Sequence, residues 1–71
     1  MTENEAWQEM RAGYADGLDE NSPQPSDNRS DSYKHGWMNG RDDLAGEPRA
    51  NAQELREAAA VAIIRDTGRS T

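Results

Sequence analysis

A short phrase with the pattern Gly-aromatic-x-x-Gly occurs twice in this 71-residue chain. The first copy, GYADG, runs from Gly13 to Gly17, and the second, GWMNG, begins 23 residues later and runs from Gly36 to Gly40. Glycines four residues apart lie on one face of a helix. At that spacing the missing side chains allow a second helix to approach closely, as small residues do between membrane helices. The repeat therefore predicts two helices in close contact.

The glycines also admit a second interpretation, in which Gly17 ends the first helix and Gly40 breaks the second. Glycine inside a helix costs about 1 kcal/mol relative to alanine, so four interior glycines require a compensating contact. We favour a helical hairpin in which Tyr14 and Trp37 pack over the opposing glycines. The residues assigned to this structural role are Gly13, Tyr14, Gly17, Tyr33, Gly36, Trp37 and Gly40.

Capping and breaking signals predict one small all-α domain over residues 1–71. The first helix spans about 4–18 and is capped by Thr2 or Asn4, the second spans about 31–45 after Ser30, and the third spans about 51–66 from Asn51. Residues 19–30 contain two prolines and form the linker between the first two helices. The chain is expected to fray from Asp66 onward, and residues 67–71 are expected to be a flexible tail.

Helical spacing assigns an inner stripe to each helix. In the second helix this stripe leaves His35 and Asn39 pointing outward, so both are expected to be exposed. In the third helix Ile64 is expected on the far side. The predicted stripes are Trp7, Met10, Tyr14, Gly17 and Leu18; Tyr33, Gly36, Trp37, Gly40 and Leu44; and Leu55, Ala58, Ala59, Ala62 and Ile63.

The composition predicts a marginal core. Leu, Ile and Val together supply only six residues, and the chain has no Phe and no Cys. A core of this size favours completion by a partner or by a homodimer. Without cysteine there is neither a disulfide framework nor a thiolate zinc site. Because the sequence shows no membrane-length apolar run and no signal-peptide pattern, we expect a soluble cytoplasmic protein.

The charge is concentrated at one end of the sequence. The formal net charge is −6, and residues 1–21 carry −5 of it, since six acidic residues there face only Arg11. Such a surface repels phosphates and attracts basic protein surfaces. We define the acidic surface as Glu3, Glu5, Glu9, Asp16, Asp19 and Glu20.

The two phrases, read with the proline-containing linker, resemble the ribosome modulation factor family, including its CrpP-type members. The resemblance covers roughly residues 7–44 and rests on GYADG followed by YKHGWMNGR, from Tyr33 to Arg41. It implies paired helices and, for ribosomal members, binding to ribosomal RNA and protein. Those members are strongly basic, whereas the first helix here is acidic. CrpP-type members are described as phosphorylating fluoroquinolones, but the sequence contains no P-loop and no kinase-like metal site.

Three functional hypotheses follow. The first is a non-enzymatic interaction module, without cofactor or small-molecule substrate, that binds a basic protein through the acidic surface. The second is a ribosome or RNA binder that uses Arg11, Lys34, Arg41 and Arg49. The third is a phage-type inhibitor whose acidic surface imitates nucleic acid.

Overall fold

The chain contains three α-helices in a computed structural model that describes residues 1–47 and 51–68. Helix α1 spans Glu3–Gly17, α2 spans Asp31–Ala45 and α3 spans Ala52–Thr67. The predicted all-α class is therefore confirmed. Arg49 and the last three residues of the predicted tail lie outside the described residues. Thr67, also assigned to that tail, is instead the last residue of α3.

Each helix begins at a side-chain cap. Thr2 Oγ1 accepts a hydrogen bond from the Glu5 amide at 3.1 Å, and the Glu5 carboxylate accepts one from the Thr2 amide at 2.9 Å. This reciprocal pair is a capping box. Ser30 Oγ accepts from the Tyr33 amide at 3.1 Å, and Asn51 caps α3 in the same way. These side chains satisfy amide groups that have no partner inside the helix, which fixes where each helix starts.

Helices α1 and α2 run in the same direction. Gly13 lies against the backbone of Tyr33, whereas Gly17, one turn later in α1, lies against the backbone of Trp37. The contact therefore advances by four residues in both helices together. An antiparallel pair would show the opposite order. Helices α1 and α2 are therefore a parallel pair and not the hairpin that the sequence predicted, because the two helices of a hairpin are antiparallel.

The linker makes the parallel arrangement possible. A 15-residue helix is about 22 Å long, and the 13 residues of 18–30 can extend over about 43 Å. The chain can thus return from the end of α1 to the start of α2 along the outside of the pair. Sequence length alone allowed either direction.

Helices α2 and α3 run in opposite directions. Asp66, near the end of α3, accepts hydrogen bonds from the amides of Asp31 and Ser32 at 3.0 and 2.6 Å. Further along, Met38 of α2 and Ala58 of α3 line the same groove. Asp66 therefore completes the capping of α2 from another helix. The expectation that the chain frays from Asp66 onward is wrong, because this carboxylate is held by α2.

A small apolar cluster joins α1 to α3. Its buried members are Ala6 and Met10 of α1 and Ala59, Ala62 and Ile63 of α3. Three of these five residues are alanines, so the cluster is thin. The remaining contact between helices comes from the close approach of α1 and α2 and from the packing of α3 against α2.

The inner stripe predicted for α1 is partly wrong. The buried residues of α1 are Ala6, Met10, Gly13 and Gly17, whereas Trp7, Tyr14 and Leu18 are 41%, 38% and 40% exposed. The buried stripe is rotated relative to the prediction because glycine contacts, rather than large side chains, select the inner face. In the other helices, Leu44 and Ala58 are also exposed.

Helix α2 has two buried faces instead of one. His35, expected to be exposed, is only 9% exposed, and Asn39 is half-buried. His35 lines the groove between α2 and α3 together with Ala62. The prediction failed because it considered only the face toward α1, whereas α3 covers a second side of α2. Ile64 lies on the exposed side of α3, as expected.

Candidate functional site

The glycines of the repeated phrase lie in the contact between α1 and α2. A Cβ atom added to Gly36 would fall well under 3.0 Å from the carbonyl oxygen of Met10, and one added to Gly40 would meet the carbonyl of Tyr14 in the same way. Because a Cβ takes the place of an α-hydrogen, these hydrogens point at the opposing carbonyl oxygens, as in a Cα–H···O contact. The glycines thus face backbone, not the aromatic rings that we expected over them.

Two tyrosines connect α1 and α2 beside this contact. The Tyr33 hydroxyl donates a hydrogen bond to Asp16 of α1, and the Tyr14 hydroxyl donates one to Asp43 of α2. These hydrogen bonds are the main reason why the pKa of each tyrosine is raised above its ordinary value of 10.0. Trp37 is buried, and its Nε1 lies 3.5 Å from Ser22 Oγ of the linker. The aromatic residues of the phrase therefore hold the helices and the linker in place.

The first two members of the acidic surface lie in the first turn of α1. Glu3 and Glu5 stand where the positive end of the helix dipole favours carboxylates. The backbone hydrogen bond and then the side-chain hydrogen bond with Thr2 lower the pKa of Glu5 below 4.5. These two carboxylates consequently have a structural role at the helix start as well as a charge.

The other members lie further along α1 and in the turn that follows it. Glu9 accepts a hydrogen bond from Ser30 Oγ at 3.1 Å, and Asp16 accepts one from Tyr33. Asp19 accepts one from the Asn21 amide at 3.0 Å, and Glu20 is exposed. About 20 Å of helix separates Glu3 from Asp16, so the acidic surface extends along the length of α1.

The parallel arrangement adds α2 carboxylates that sequence reasoning missed. It places the C-terminal ends of α1 and α2 together, and we define the acidic end of the molecule by the carboxylates found there. They are Asp16, Asp19, Glu20, Asp42 and Asp43. The last turn of neither helix contains a base. The sequence contained a signal for this grouping, because the two glycine phrases are 23 residues apart. If the phrases pair in parallel, each residue of α1 or of the turn after it lies level with the residue 23 positions later, which places Asp43 beside Glu20.

Two of the four bases proposed to contact RNA hold the linker. The guanidinium of Arg41 donates to the carbonyl oxygens of Asp19 at 3.1 Å and Ser22 at 2.9 Å. The ammonium of Lys34 donates to the Asp27 carbonyl at 3.1 Å. Arg11 is exposed on α1, and the fourth base, Arg49, lies outside the described residues. Lys34 and Arg41 therefore attach the linker to α2.

Candidate small-molecule and metal sites are sparse in the part of the chain described. Within residues 1–47 and 51–68, no group of three or more His, Cys, Asp or Glu side chains is placed to hold a metal ion. A shallow pocket lined by Pro25, Lys34, Trp37 and Met38 lies beside the linker. In the same residues no helix is long and apolar enough to cross a membrane.

Comparison with known proteins finds no matching family model, no matching curated protein and no matching solved structure. The resemblance to the ribosome modulation factor family therefore stays a prediction that rests on the motifs of residues 7–44.

Proposed function

We propose that this chain is a small non-enzymatic interaction module that binds a basic protein surface through the acidic surface of α1. The observation that carries the proposal is the acidic end, where carboxylates of α1, of the turn that follows it and of α2 lie together. There the acidic surface of α1 continues onto α2 through the exposed Asp43. A basic partner would thus meet one negative region built from two helices.

The placement of these carboxylates is unfavourable for the isolated fold. Carboxylates near a helix C-terminus oppose the helix dipole, typically by about 0.3–1 kcal/mol each at an exposed position. Two parallel helices add their negative ends at the same place. A chain with so thin a core gains nothing from this arrangement by itself. Residues that break a local rule are expected at functional sites, and basic side chains of a partner would offset the repulsion.

The hypothesis of RNA binding is less well supported. Phosphate binding needs accessible bases, because the release of counterions by Lys and Arg supplies most of the affinity. Lys34 and Arg41 already donate hydrogen bonds to linker carbonyls. The hypothesis of a nucleic-acid mimic is a special case of the proposal, in which the basic partner surface normally binds nucleic acid.

A pull-down from the native host tests the proposal with two variants of equal charge. The first carries Glu5→Gln and Glu9→Gln, which remove two charges from α1. Gln can replace Glu in a capping box, and its amide oxygen can still accept from Ser30, so α1 should stay folded. The control carries Glu54→Gln and Glu57→Gln on α3.

The proposal predicts that the wild-type chain captures a basic protein in a salt-sensitive way. The α1 variant should lose most of this capture and the α3 variant should keep it. If both variants captured the same protein equally well, the α1 surface would not be the binding site. Co-sedimentation with ribosomes that depended on Lys34 and Arg41 would favour the RNA hypothesis instead.

A further inference from the structure

A groove runs between the C-terminal half of α1 and the linker. Its lining includes Asp16 of α1, Tyr33 of α2, and Asp19, Pro23 and Arg29 of the connection between the two helices. We propose that this linker groove binds an arginine side chain of the partner and that Arg29 occupies the same position in the free chain. The inference rests on the function proposed above and names the chemical group that the acidic surface recognises.

The position of Arg29 shows what the groove accepts. Its guanidinium carbon lies 3.6 Å from the centroid of the Tyr33 ring, which is the geometry of a cation–π contact. Tyr33 as a whole is only 7% exposed, while Arg29 is exposed on the outside of the linker. The face of the Tyr33 ring becomes available when the flexible Arg29 side chain moves aside.

The charge around the ring exceeds what Arg29 neutralises. Asp16 accepts a hydrogen bond from the Tyr33 hydroxyl, Glu9 lies close enough to influence the same hydroxyl, and Asp19 lines the groove. Three carboxylates thus lie near the ring or the groove, against two guanidiniums, that of Arg29 on the ring and that of Arg41, which donates to the Asp19 carbonyl. A second cation is therefore attracted to the groove even while Arg29 is present.

The chemistry favours arginine over lysine as the incoming group. A guanidinium is planar, stacks on an aromatic face and presents several donors to carboxylates at once. An ammonium provides the charge but does not stack in the same way. The linker groove combines a tyrosine face with carboxylates beside it, which matches the guanidinium.

This arrangement makes Arg29 an internal competitor of the partner. Removing it should tighten binding, because the incoming arginine no longer has to displace it. A charge change elsewhere also strengthens attraction to a basic ligand, so a matched control is needed. Arg56 on α3 is exposed and is not part of the groove, and its replacement changes the net charge by the same amount.

The test is fluorescence anisotropy of a short labelled glycine–arginine peptide with the full chain, repeated with the glycine–lysine analogue. Arg29→Ala should bind the arginine peptide about two- to fivefold more tightly than Arg56→Ala does, which corresponds to one cation–π contact. Asp16→Asn should bind it more weakly than wild type. The lysine peptide should show a smaller difference between Arg29→Ala and Arg56→Ala.

Equal affinities of Arg29→Ala and Arg56→Ala for the arginine peptide would overturn the assignment of the groove. If the wild-type chain still bound both peptides in a salt-sensitive way, the broader proposal of a basic partner would remain. Absence of binding by either peptide to any variant would count against both. The two failures are therefore distinguishable.

Discussion

At the scale of single residues, the absence of a side chain is what brings α1 and α2 together. Each of the four glycines faces backbone atoms of the opposing helix, so there is no flexible group that could move to accept a methyl. Glycine lowers the stability of an isolated helix. Here it permits a contact between two backbones that any other residue would separate.

Replacing Gly36 with alanine tests this role. In an exposed helix the change would stabilise the chain by about 1 kcal/mol. Here the added methyl would meet the Met10 carbonyl, and we expect Gly36→Ala to lower the free energy of unfolding by about 3 kcal/mol. Urea denaturation followed by circular dichroism measures the change.

Gly46→Ala provides the comparison for that experiment. Gly46 has a positive φ of 73° and open space around it, so only the backbone conformation opposes a side chain. The expected loss is about 1 kcal/mol. A Gly36→Ala variant more stable than wild type would show that the helices are not in backbone contact at this position.

At the scale of the helices, the positions of the helix ends could be predicted from the sequence. The way the helices pack against one another could be predicted only in part. The caps Thr2, Ser30 and Asn51 are local signals, because each side chain bonds an amide three residues away. The direction of α1 relative to α2 is not local. It depends on whether the linker returns along the pair, and the interactions of Arg41 and Lys34 with that linker are invisible in the sequence.

The burial of His35 illustrates the same limit. A single helix stripe predicts one inner face, and it placed Tyr33 and Trp37 correctly among the buried residues. A helix that packs against two neighbours needs a second face, and this appears only when the position of α3 is known. For the acidic surface, the charges were evident from the sequence, whereas their continuation through Asp43 required the parallel pairing of α1 and α2.

Asp66 provides a prediction at this scale, because it joins α3 to α2. Burial acts to raise its pKa, but the hydrogen bonds from Ser32 and from the Asp31 amide outweigh this and lower the pKa below 3.8. The stabilisation is therefore complete above pH 3.8 and is lost as the pH falls through the lower, folded-state pKa. Asp66→Asn should cost about 1–2 kcal/mol near neutral pH, where the carboxylate is charged.

The measurement is the free energy of unfolding of wild type and Asp66→Asn as a function of pH. The difference between them should be constant at neutral pH and should shrink as the solution is acidified below pH 3.8. A difference that stayed the same at all pH values would mean that the charge of Asp66 does not contribute.

At the scale of the whole molecule, the net charge of −6 opposes the compact state. The repulsion is strongest at the acidic end, where two helix dipoles add to the carboxylates. Screening by salt should therefore stabilise the free chain. This is the reverse of what a fold held together by surface ion pairs would show.

A variant that carries Asp19→Asn and Glu20→Gln tests this explanation. Asn at position 19 can still accept from the Asn21 amide, so the turn is retained. At low salt we expect the variant to be more stable than wild type by about 0.5–1 kcal/mol, and at about 1 M salt the two should converge. Thermal unfolding at both salt concentrations decides the point, and a less stable variant at low salt would contradict the proposed repulsion.

The most direct test of the proposed function is amide chemical-shift mapping by NMR with the partner captured from the host. The proposal predicts that the largest shifts fall along α1 and at the acidic end, at Glu9, Asp16, Asp19, Glu20 and Asp43. Added salt should reduce them together. Shifts confined to the outer side of α3, around Arg56 and Ile64, with the amides of α1 unmoved, would contradict it.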